Sequence, residues 1–434
     1  GHFHLPLVWA CPCDNKGYGN SSHQHGQESG EDPSSPQVAP SNTNFAFRFY
    51  HLLTSENPRK NIFFSPLSIS TAYAMLSLGA GFNLTELSIL DIHRGFQHLL
   101  RVLSLQDHGL EVHLGNTLLL SDDLELLPGF LNSTMTFYDP KLFRPDFSDT
   151  VGTTKLINDH VKKETRGKIT DLVSELTPDV KMIVVNYIYF KGLWKKPFHL
   201  SRTTAGDFYV DESTTVKVPM MVQSFQHHWY LQDRHVPCSV LRLDYQGDAV
   251  AFFILPDRGK MAQVEEVLTP QMLARWNHLY FYRSVEIHFP RFSISGSYAL
   301  DQILPKLGFQ DLFSQQANFS GITTQRKLQV SKSFHKATLD VNEVGTEATA
   351  VTSSFLTFLS APRSHLVVRF NRPFLLTIFS PSTQSVLFWG KVKPLARGGD
   401  WPMMLLRPCC GTSYILDTHK HILCLSLQGS PVLL

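Results

Sequence analysis

A stretch of about twenty residues, 343–363, joins one extended segment that ends near Asn342 to another that begins near His365. Loops of that length within a compact domain are uncommon and tend to be functional. The chain must therefore fold so that a long connection between two strands stays at the surface. This requirement limits the possible folds more than any other feature of the sequence.

When this stretch is considered as a β-strand, its side chains separate by size, because successive residues of a strand point to opposite faces. The small face consists of Thr346, Ala348, Ala350, Thr352 and Ser354, and the opposite face of Glu347, Thr349, Val351, Ser353 and Phe355. A strand that enters an existing sheet above a packed core needs a small, uncharged face, since burial of an unpaired charge is costly. Composition alone favours a flexible surface loop of small residues, whereas the alternation indicates a segment that can become an internal strand.

Two neighbouring features support that interpretation. Gly345 provides a flexible pivot beside the small residues. Residues 355–359 place large apolar groups where a solvated loop would be polar, and exposed apolar groups indicate a binding surface.

The composition excludes several classes of function. Hydrophobic residues make up 43% of the 434 residues, and 39 lysines and arginines balance 37 acids, so we expect no nucleic-acid partner. No apolar run is long enough to cross a bilayer, and no nucleophile elbow, zinc-protease motif or phosphate-binding loop is present. We therefore expect no membrane insertion, no enzyme activity and no cofactor. Three histidine pairs could bind metal weakly, but we expect no metal site: His23/His25, His227/His228 and His419/His421.

The secretory route is predicted by four Asn-x-Ser/Thr sequons, at Asn20, Asn83, Asn132 and Asn318. The six cysteines lie at the two ends of the chain with one between, which is not a disulfide framework. We expect Cys238 to be a free core thiol and the protein to be secreted and extracellular.

The composition also divides the chain into three parts. Residues 1–43 are predicted to be a disordered arm, because most of them are polar or glycine. Residues 44–392 mix helical and extended segments without a repeat or a linker, which predicts one α+β domain. We expect one helix after the caps Ser41 and Asn42, and another after Ser65 and Pro66. Residues 393–434 are predicted to be an atypical tail.

Eight motifs in order resemble the serpin superfamily: NIFFSPLSIS at 61–70, INDHVKKETRGK at 157–168, NYIYFKGLW at 186–194, VPMM at 218–221, FHKA at 334–337, EVGTEA at 343–348, FNRPF at 370–374 and LFWGKV at 387–392. Within it, the chain resembles the antitrypsin-type plasma serpins through HVKKE at 160–164, HHWY at 227–230, SISGSY at 293–298 and TQSVLF at 383–388. The resemblance covers nearly all of residues 44–392.

The resemblance implies a fold of three β-sheets and eight or nine helices with an exposed reactive-centre loop. It implies a monomeric protease inhibitor whose loop is cut by a serine protease. The protease forms a covalent acyl complex with the inhibitor and is carried along as the loop enters the largest sheet. The family's hinge maps onto Glu343, Gly345, Thr346 and Ala348, and its spacing places the reactive bond at Leu359–Ser360. A leucine there suits a chymotrypsin-like or tissue-kallikrein-like target, and Arg363 is the alternative for a trypsin-like enzyme.

The resemblance also implies a hydrogen-bonded shutter under the opening sheet, formed by Ser65, Ser68, Asn186 and His335. Trp194 is expected at the breach, where the loop first enters. Read without the resemblance, His335 and Trp194 are ordinary core residues.

The chain departs from the family pattern in several places. Relatives carry about a dozen more residues after Ala80, so the following helix is expected to be short and the sheet partly uncovered. Residues 277–285 are shorter and less basic than in similar plasma serpins, which makes heparin binding doubtful. Val344, Thr349 and Val351 are bulkier than the usual hinge alanines and support an alternative, a serpin that carries ligands or binds partners without inhibition.

Overall fold

The computed structural model describes residues 35–80, 89–104, 109–278, 281–325, 328–345 and 366–393, together with the tail segments 414–416, 422–424 and 432–433. The described part is α+β, as predicted. Its α-helices number eight, within the expected eight or nine. They are α1 Ser35–Glu56, α2 Pro66–Ser77, α3 Ile89–Ser104, α4 Pro128–Phe137, α5 Thr150–Glu164, α6 Met261–Glu266, α7 Pro270–His278 and α8 Leu300–Ile303. Short 3-10 helices cover Leu200–Arg202, Leu304–Leu307 and Asp311–Phe313.

Helix α1 begins earlier than the sequence predicts. The expected arm reached residue 43, but residues 35–43 are helical although Pro40 lies among them. Val38 and Ala39 are buried, and this packing outweighs the backbone hydrogen bond that proline cannot make. Asn42 is not a cap either: its Nδ2 donates to the Val386 carbonyl at 3.1 Å inside the core.

Helix α2 begins as predicted. Pro66 occupies its first turn, and the Ser65 hydroxyl caps it by accepting a hydrogen bond from the backbone N–H of Ser68 at 3.1 Å. This cap places two of the predicted shutter serines at the N-terminus of a buried helix.

The described strands form a five-stranded sheet, a nine-stranded sheet and a small sheet within the tail. The strands are β1 Ile62–Phe64, β2 Leu110–Leu120, β3 Lys141–Phe143, β4 Met182–Gly192, β5 Thr204–Tyr209, β6 Thr215–Gln232, β7 Cys238–Asp244, β8 Val250–Pro256, β9 Phe281–Pro290, β10 Phe292–Ala299, β11 Lys332–Val341, β12 Leu366–Arg369, β13 Phe374–Ser380, β14 Ser385–Val392, β15 Tyr414–Leu416, β16 Ile422–Cys424 and β17 Val432–Leu433. The five-stranded sheet has the order β10-β11-β4-β2-β3.

The largest sheet of the described part contains nine strands. The nine-stranded sheet has the order β1-β14-β13-β8-β7-β6-β9-β12, with β5 also on β6. Strand β6 is 18 residues long and pairs with β5 and β9 along its length and with β7 at its end. One continuous strand thus joins β5, β7 and β9 into a single sheet.

Strand β4 lies at the centre of the five-stranded sheet and is buried on both faces. Ile183, Val185 and Tyr187 pack with Ile157 and Val161 of α5 on one face. The opposite face carries Met182, Val184, Ile188 and Phe190 into the two larger core clusters. Asn186 belongs to this second face and meets α2 there. None of the described helices is long and apolar enough to cross a bilayer.

Candidate functional site

The last described residues before the loop form a turn that is fastened to the end of β4. The Asn342 side chain accepts hydrogen bonds from the backbone N–H groups of Val344 at 3.0 Å and Gly345 at 3.2 Å. Gly345 forms an antiparallel bridge with Leu193, and the N–H of Trp194 donates to the Val344 carbonyl at 2.8 Å. The loop therefore starts from a fixed point beside the central strand.

Trp194 contacts this turn with its side chain as well. Its indole N–H donates to the Asn342 carbonyl at 3.0 Å, and its ring is buried and stacks on Tyr245 with 4.2 Å between the ring centroids. Trp194 lies where the hinge meets the sheet, and its part in loop entry stays a prediction.

Glu343 is buried in spite of its charge, with 5% of its surface exposed. Thr203 donates a hydrogen bond to its carboxylate at 2.7 Å, Arg291 approaches the same oxygen at 3.7 Å, and the Phe198 N–H donates to its carbonyl at 2.7 Å. Thr203 immediately precedes β5 and Arg291 immediately follows β9, so the carboxylate connects the start of the loop to both strands. Arg291 balances its charge, and Thr203 donates a hydrogen bond to it.

Gly345 occupies a position that only glycine can take. Its φ is +152°, and a Cβ atom there would lie 2.0 Å from the Gly192 carbonyl oxygen. A side chain would push the hinge away from β4 and break the contacts of Trp194 with the turn.

The four predicted shutter residues come together in one buried network. His335 and Asn186 face each other in the β11–β4 register, and the His335 Nδ1 lies 2.6 Å from the Asn186 side-chain oxygen. The Ser68 hydroxyl donates to the same oxygen at 2.8 Å. The Ser65 N–H donates to the His335 Nε2 at 3.1 Å, and all four residues are inaccessible to solvent.

These partners fix the protonation of His335. The Asn186 oxygen requires a proton on Nδ1, and the Ser65 N–H requires a lone pair on Nε2, so the ring is neutral. Burial lowers its pKa to about 3. The network therefore holds its geometry at neutral pH and would lose the Ser65 bond if the ring were charged.

Sequence reasoning missed four residues of this region: Asn116, Thr203, Arg291 and Asn342. Asn116 accepts a hydrogen bond from the Asn186 side-chain amide at 2.7 Å and so extends the buried network to β2. A signal for it exists in the sequence, because an asparagine within an apolar strand needs a buried partner. Asn342 carries the usual signal of a turn residue, because an asparagine side chain can accept hydrogen bonds from backbone N–H groups that follow it in the chain.

Strands β11 and β4 are parallel neighbours that pair only in part. Their pairing runs from Lys332 opposite Ile183 to Thr338 opposite Tyr189, while β11 continues to Val341 and β4 to Gly192. At the end where the hinge is attached, β4 and β11 therefore form no backbone pairing with each other.

Several predicted residues lie outside the described part of the chain: Thr346, Ala348, Leu359, Ser360, Arg363 and the sequons Asn20 and Asn83. The other two sequons are exposed, Asn132 on α4 and Asn318 in the turn before Phe319. Cys238 is a free, buried thiol, as predicted.

The side chains of His227 and His228 lie in different environments. His227 is exposed, whereas His228 is buried against the Gln223 side chain at 2.5 Å, and burial lowers its pKa to about 4. Within the described ranges, no group of three or more His, Cys, Asp or Glu side chains could hold a metal ion.

Comparison with known proteins agrees with this geometry. The profile of the family described as serpin (serine protease inhibitor) matches residues 40–394. The motifs at 160–164, 227–230, 293–298 and 383–388 predict a particular similarity to kallistatin, and this prediction is confirmed. Human kallistatin is 64% identical over 395 residues, covering 87% of this chain and 92% of the relative. Its glycosylated form, known as a crystal structure, superposes with a TM-score of 0.79 at 63% identity, over 84% of this chain and 100% of the other.

Two other similar solved structures are complexes with a ligand. Cleaved kallistatin complexed with heparin is 66% identical, with a TM-score of 0.69 over 72% of this chain and 96% of the other. Human thyroxine-binding globulin complexed with thyroxine is 40% identical, with a TM-score of 0.79 over 84% of this chain and 100% of the other.

Proposed function

Because this chain belongs to the serpin family, we propose that it is a secreted inhibitor of serine proteases whose loop is cut between Leu359 and Ser360 and then enters the five-stranded sheet. The similarity to kallistatin supports an inhibitory role over an enzymatic one. Its target is a chymotrypsin-like or tissue-kallikrein-like protease, because a leucine before the cut bond fits an apolar primary pocket.

The observation that carries this proposal is the unpaired end of β4 and β11 beside the hinge. A segment that turns back at Gly345 would run antiparallel to both strands. One parallel pairing would then be replaced by two antiparallel pairings, which are slightly more stable per residue. The small residues Thr346, Ala348 and Ala350 would point inward, as the core above the sheet requires.

The chemistry of trapping follows from the cut bond. The serine of the protease attacks the Leu359 carbonyl carbon, an ester bond forms, and the Leu359–Ser360 bond breaks with a proton passing to the Ser360 nitrogen. Entry of the freed strand moves the ester, and the attached protease, away from the hinge before water completes hydrolysis.

Incubation with chymotrypsin tests the proposal. We expect a detergent-stable complex and a released peptide that begins at Ser360. A complex whose released peptide begins after Arg363 would overturn the assignment of the bond and of the apolar pocket. Quantitative cutting without a complex would overturn the inhibitor proposal.

That last outcome would support the second candidate, a serpin that binds a ligand without inhibiting. The thyroxine complex of a 40% identical relative and the bulky Val344, Thr349 and Val351 favour it. The two candidates also differ in melting temperature, since only an inserted strand makes the cut chain melt well above the intact one.

Heparin is proposed as a second partner, on the basis of the 66% identical relative. Lys195, Arg202 and Arg283 are exposed near β6 and β9, and none of them forms an ion pair with another described residue. Salt elution from immobilised heparin tests this: we expect Arg283→Ala to elute at lower salt, and Arg59→Ala, an exposed arginine elsewhere, to elute unchanged. Equal elution of both variants would remove Arg283 from the site.

Glycosylation at Asn132 and Asn318 is proposed because both are exposed and human kallistatin is known in glycosylated form. Removal of each sequon by Asn→Gln should reduce the mass of the secreted protein by one glycan. An unchanged mass would exclude that site.

A further inference from the structure

Strands β6 and β7 separate at one end, and a cavity of about 250 Å³ lies in the fork between them. Their pairing ends where Trp229 lies opposite Arg242. Beyond this point β6 continues along β9, whereas β7 continues along β8. Residues 227–228 of β6 and 243–244 of β7 then line the cavity instead of pairing with each other. A concave space of this kind, with a few polar groups around it, suits a small ligand.

A row of three side chains forms one side of this fork cavity. Trp229 lies opposite Tyr282 of β9 and opposite Arg242 of β7. Directly opposite residues of neighbouring strands place their side chains on the same face of a sheet. The centroids of the Trp229 and Tyr282 rings are 4.9 Å apart, and 51% of the surface of Tyr282 is exposed. An aromatic ring that water reaches is available to stack on the ring of a ligand.

The chain that follows β4 brings two lysines to the fork cavity. The backbone N–H of Lys195 donates to the Asp244 carbonyl at 2.8 Å. The Lys196 Nζ donates to the His227 carbonyl at 2.6 Å and to the Tyr282 hydroxyl at 2.7 Å. This Nζ also lies 5.0 Å from the centroid of the Tyr282 ring. The cation and the ring are thus close enough for one small ligand to touch both.

The charges around the fork cavity do not balance. Asp244 provides the single carboxylate among the described residues that line the cavity, and Arg242 already binds it at 2.6 Å. Within the described part of the chain, neither Lys195 nor Lys196 forms an ion pair, and the partners of the Lys196 Nζ are neutral oxygens. Two positive charges without a counterion therefore favour an anionic occupant.

We propose that the fork cavity binds a small aromatic carboxylate of one or two fused rings. A cavity of about 150 Å³ is enough to hold benzene, so this larger one has room for a second fused ring. The rings stack on Tyr282 and Trp229, and the carboxylate pairs with Lys195 and Lys196. Binding here requires neither cutting of the loop nor heparin.

Titration calorimetry with 2-naphthoate tests the site in the intact, uncut chain. The control ligand is 2-naphthamide, which has the same rings and a neutral group in place of the carboxylate. We expect the amide to bind at least about tenfold more weakly, because it cannot form ion pairs with the lysines. Equal binding of the two ligands, or no binding of 2-naphthoate, would overturn the proposal.

A pair of matched variants checks the stacking. Tyr282→Leu removes a ring from the fork cavity, whereas Tyr209→Leu removes an exposed ring outside it. We expect the first to weaken binding of 2-naphthoate at least about tenfold and the second to leave it unchanged, with equal melting temperatures as evidence of folding. Tyr282→Phe keeps the ring and should retain the affinity. Equal affinity of the Tyr282→Leu and Tyr209→Leu variants would exclude the fork cavity.

A second pair of variants separates this site from the surface proposed for heparin. Lys195→Gln removes a cation that lines the fork cavity, whereas Arg283→Gln removes an exposed cation of β9 that does not. We expect Lys195→Gln to weaken binding of 2-naphthoate about fivefold and Arg283→Gln to leave it unchanged. A loss in the Arg283 variant alone would place the carboxylate on the heparin surface and contradict the proposal.

Discussion

The hydroxyl of Thr203 donates a hydrogen bond of 2.7 Å to the carboxylate of Glu343, across 140 residues of sequence. Arg291 stands 3.7 Å from the same oxygen. The first residue of the segment 343–363 is therefore held by a buried acid with two partners, and we expect these contacts to resist release of the predicted hinge before the loop is cut.

Glu343→Gln tests this contact. The amide keeps a hydrogen bond to Thr203 but loses its attraction to Arg291, so we expect the intact chain to lose about 1–2 kcal/mol of stability, measured by chemical denaturation. Glu266→Gln, at an exposed glutamate of α6, serves as the control and should change nothing. A variant at Glu343 as stable as the control would show that the buried acid does not hold the hinge.

Loop entry is tested by one charge placed on either face of the predicted strand. Ala350→Arg puts a guanidinium on the face that must be buried, and Thr349→Arg puts it on the opposite face. We expect the first variant to be cut by chymotrypsin with at least about a tenfold loss of stable complex, because burial of an unpaired charge costs several kcal/mol. The second should retain the complex. An equal loss of stable complex in both variants would mean that loop entry does not distinguish the two faces of the strand.

Specificity is tested at the residue before the cut bond. Leu359→Arg should reduce the rate of chymotrypsin inhibition by at least about a hundredfold and introduce inhibition of trypsin, since a trypsin-like pocket carries an acid. Arg363→Leu is the matched control and should leave the chymotrypsin rate unchanged. If Arg363→Leu alone abolished inhibition, Leu359 would not be the residue that enters the pocket.

His335 predicts how stability depends on pH. Its pKa is lowered by burial from 6.5 to about 3 in the folded chain, so below about pH 6.5 the unfolded chain takes up a proton that the folded chain excludes. The contribution to stability is complete above that pH and is lost as the pH falls toward 3. Between about pH 7 and 5 we expect a loss of about 2 kcal/mol from this group.

His335→Gln removes that proton uptake and keeps both an acceptor and a donor for the network. Unfolding curves of this variant should show a pH dependence that is smaller by about the same amount. His227→Gln, at an exposed histidine, provides the comparison. An unchanged pH dependence in His335→Gln would indicate that His335 is charged or accessible in the folded chain.

Much of the framework was predictable because its signals are local. The β-rich stretches 184–190, 250–255, 374–379 and 386–392 predict β4, β8, β13 and β14 within a few residues of their ends, and the serine–proline pair predicts the start of α2. Ser65, Ser68, Asn186 and His335 could be named from motifs, and Gly345 from its place beside the small residues. The prediction of a disordered arm was wrong at residues 35–43. Their polar composition indicated disorder, but burial of Val38 and Ala39 stabilises a helix there.

The sequence by itself determined which residues are able to be buried, capped or turned, because periodicity and side-chain chemistry are properties of neighbours along the chain. Only the tertiary structure decided which distant groups meet: Thr203 and Arg291 with Glu343, and Asn116 with Asn186. It also joined β5, β7 and β9 into one sheet through the single strand β6. Such pairings depend on strand order and register, which arise from packing of the whole core and leave no pattern in any one segment.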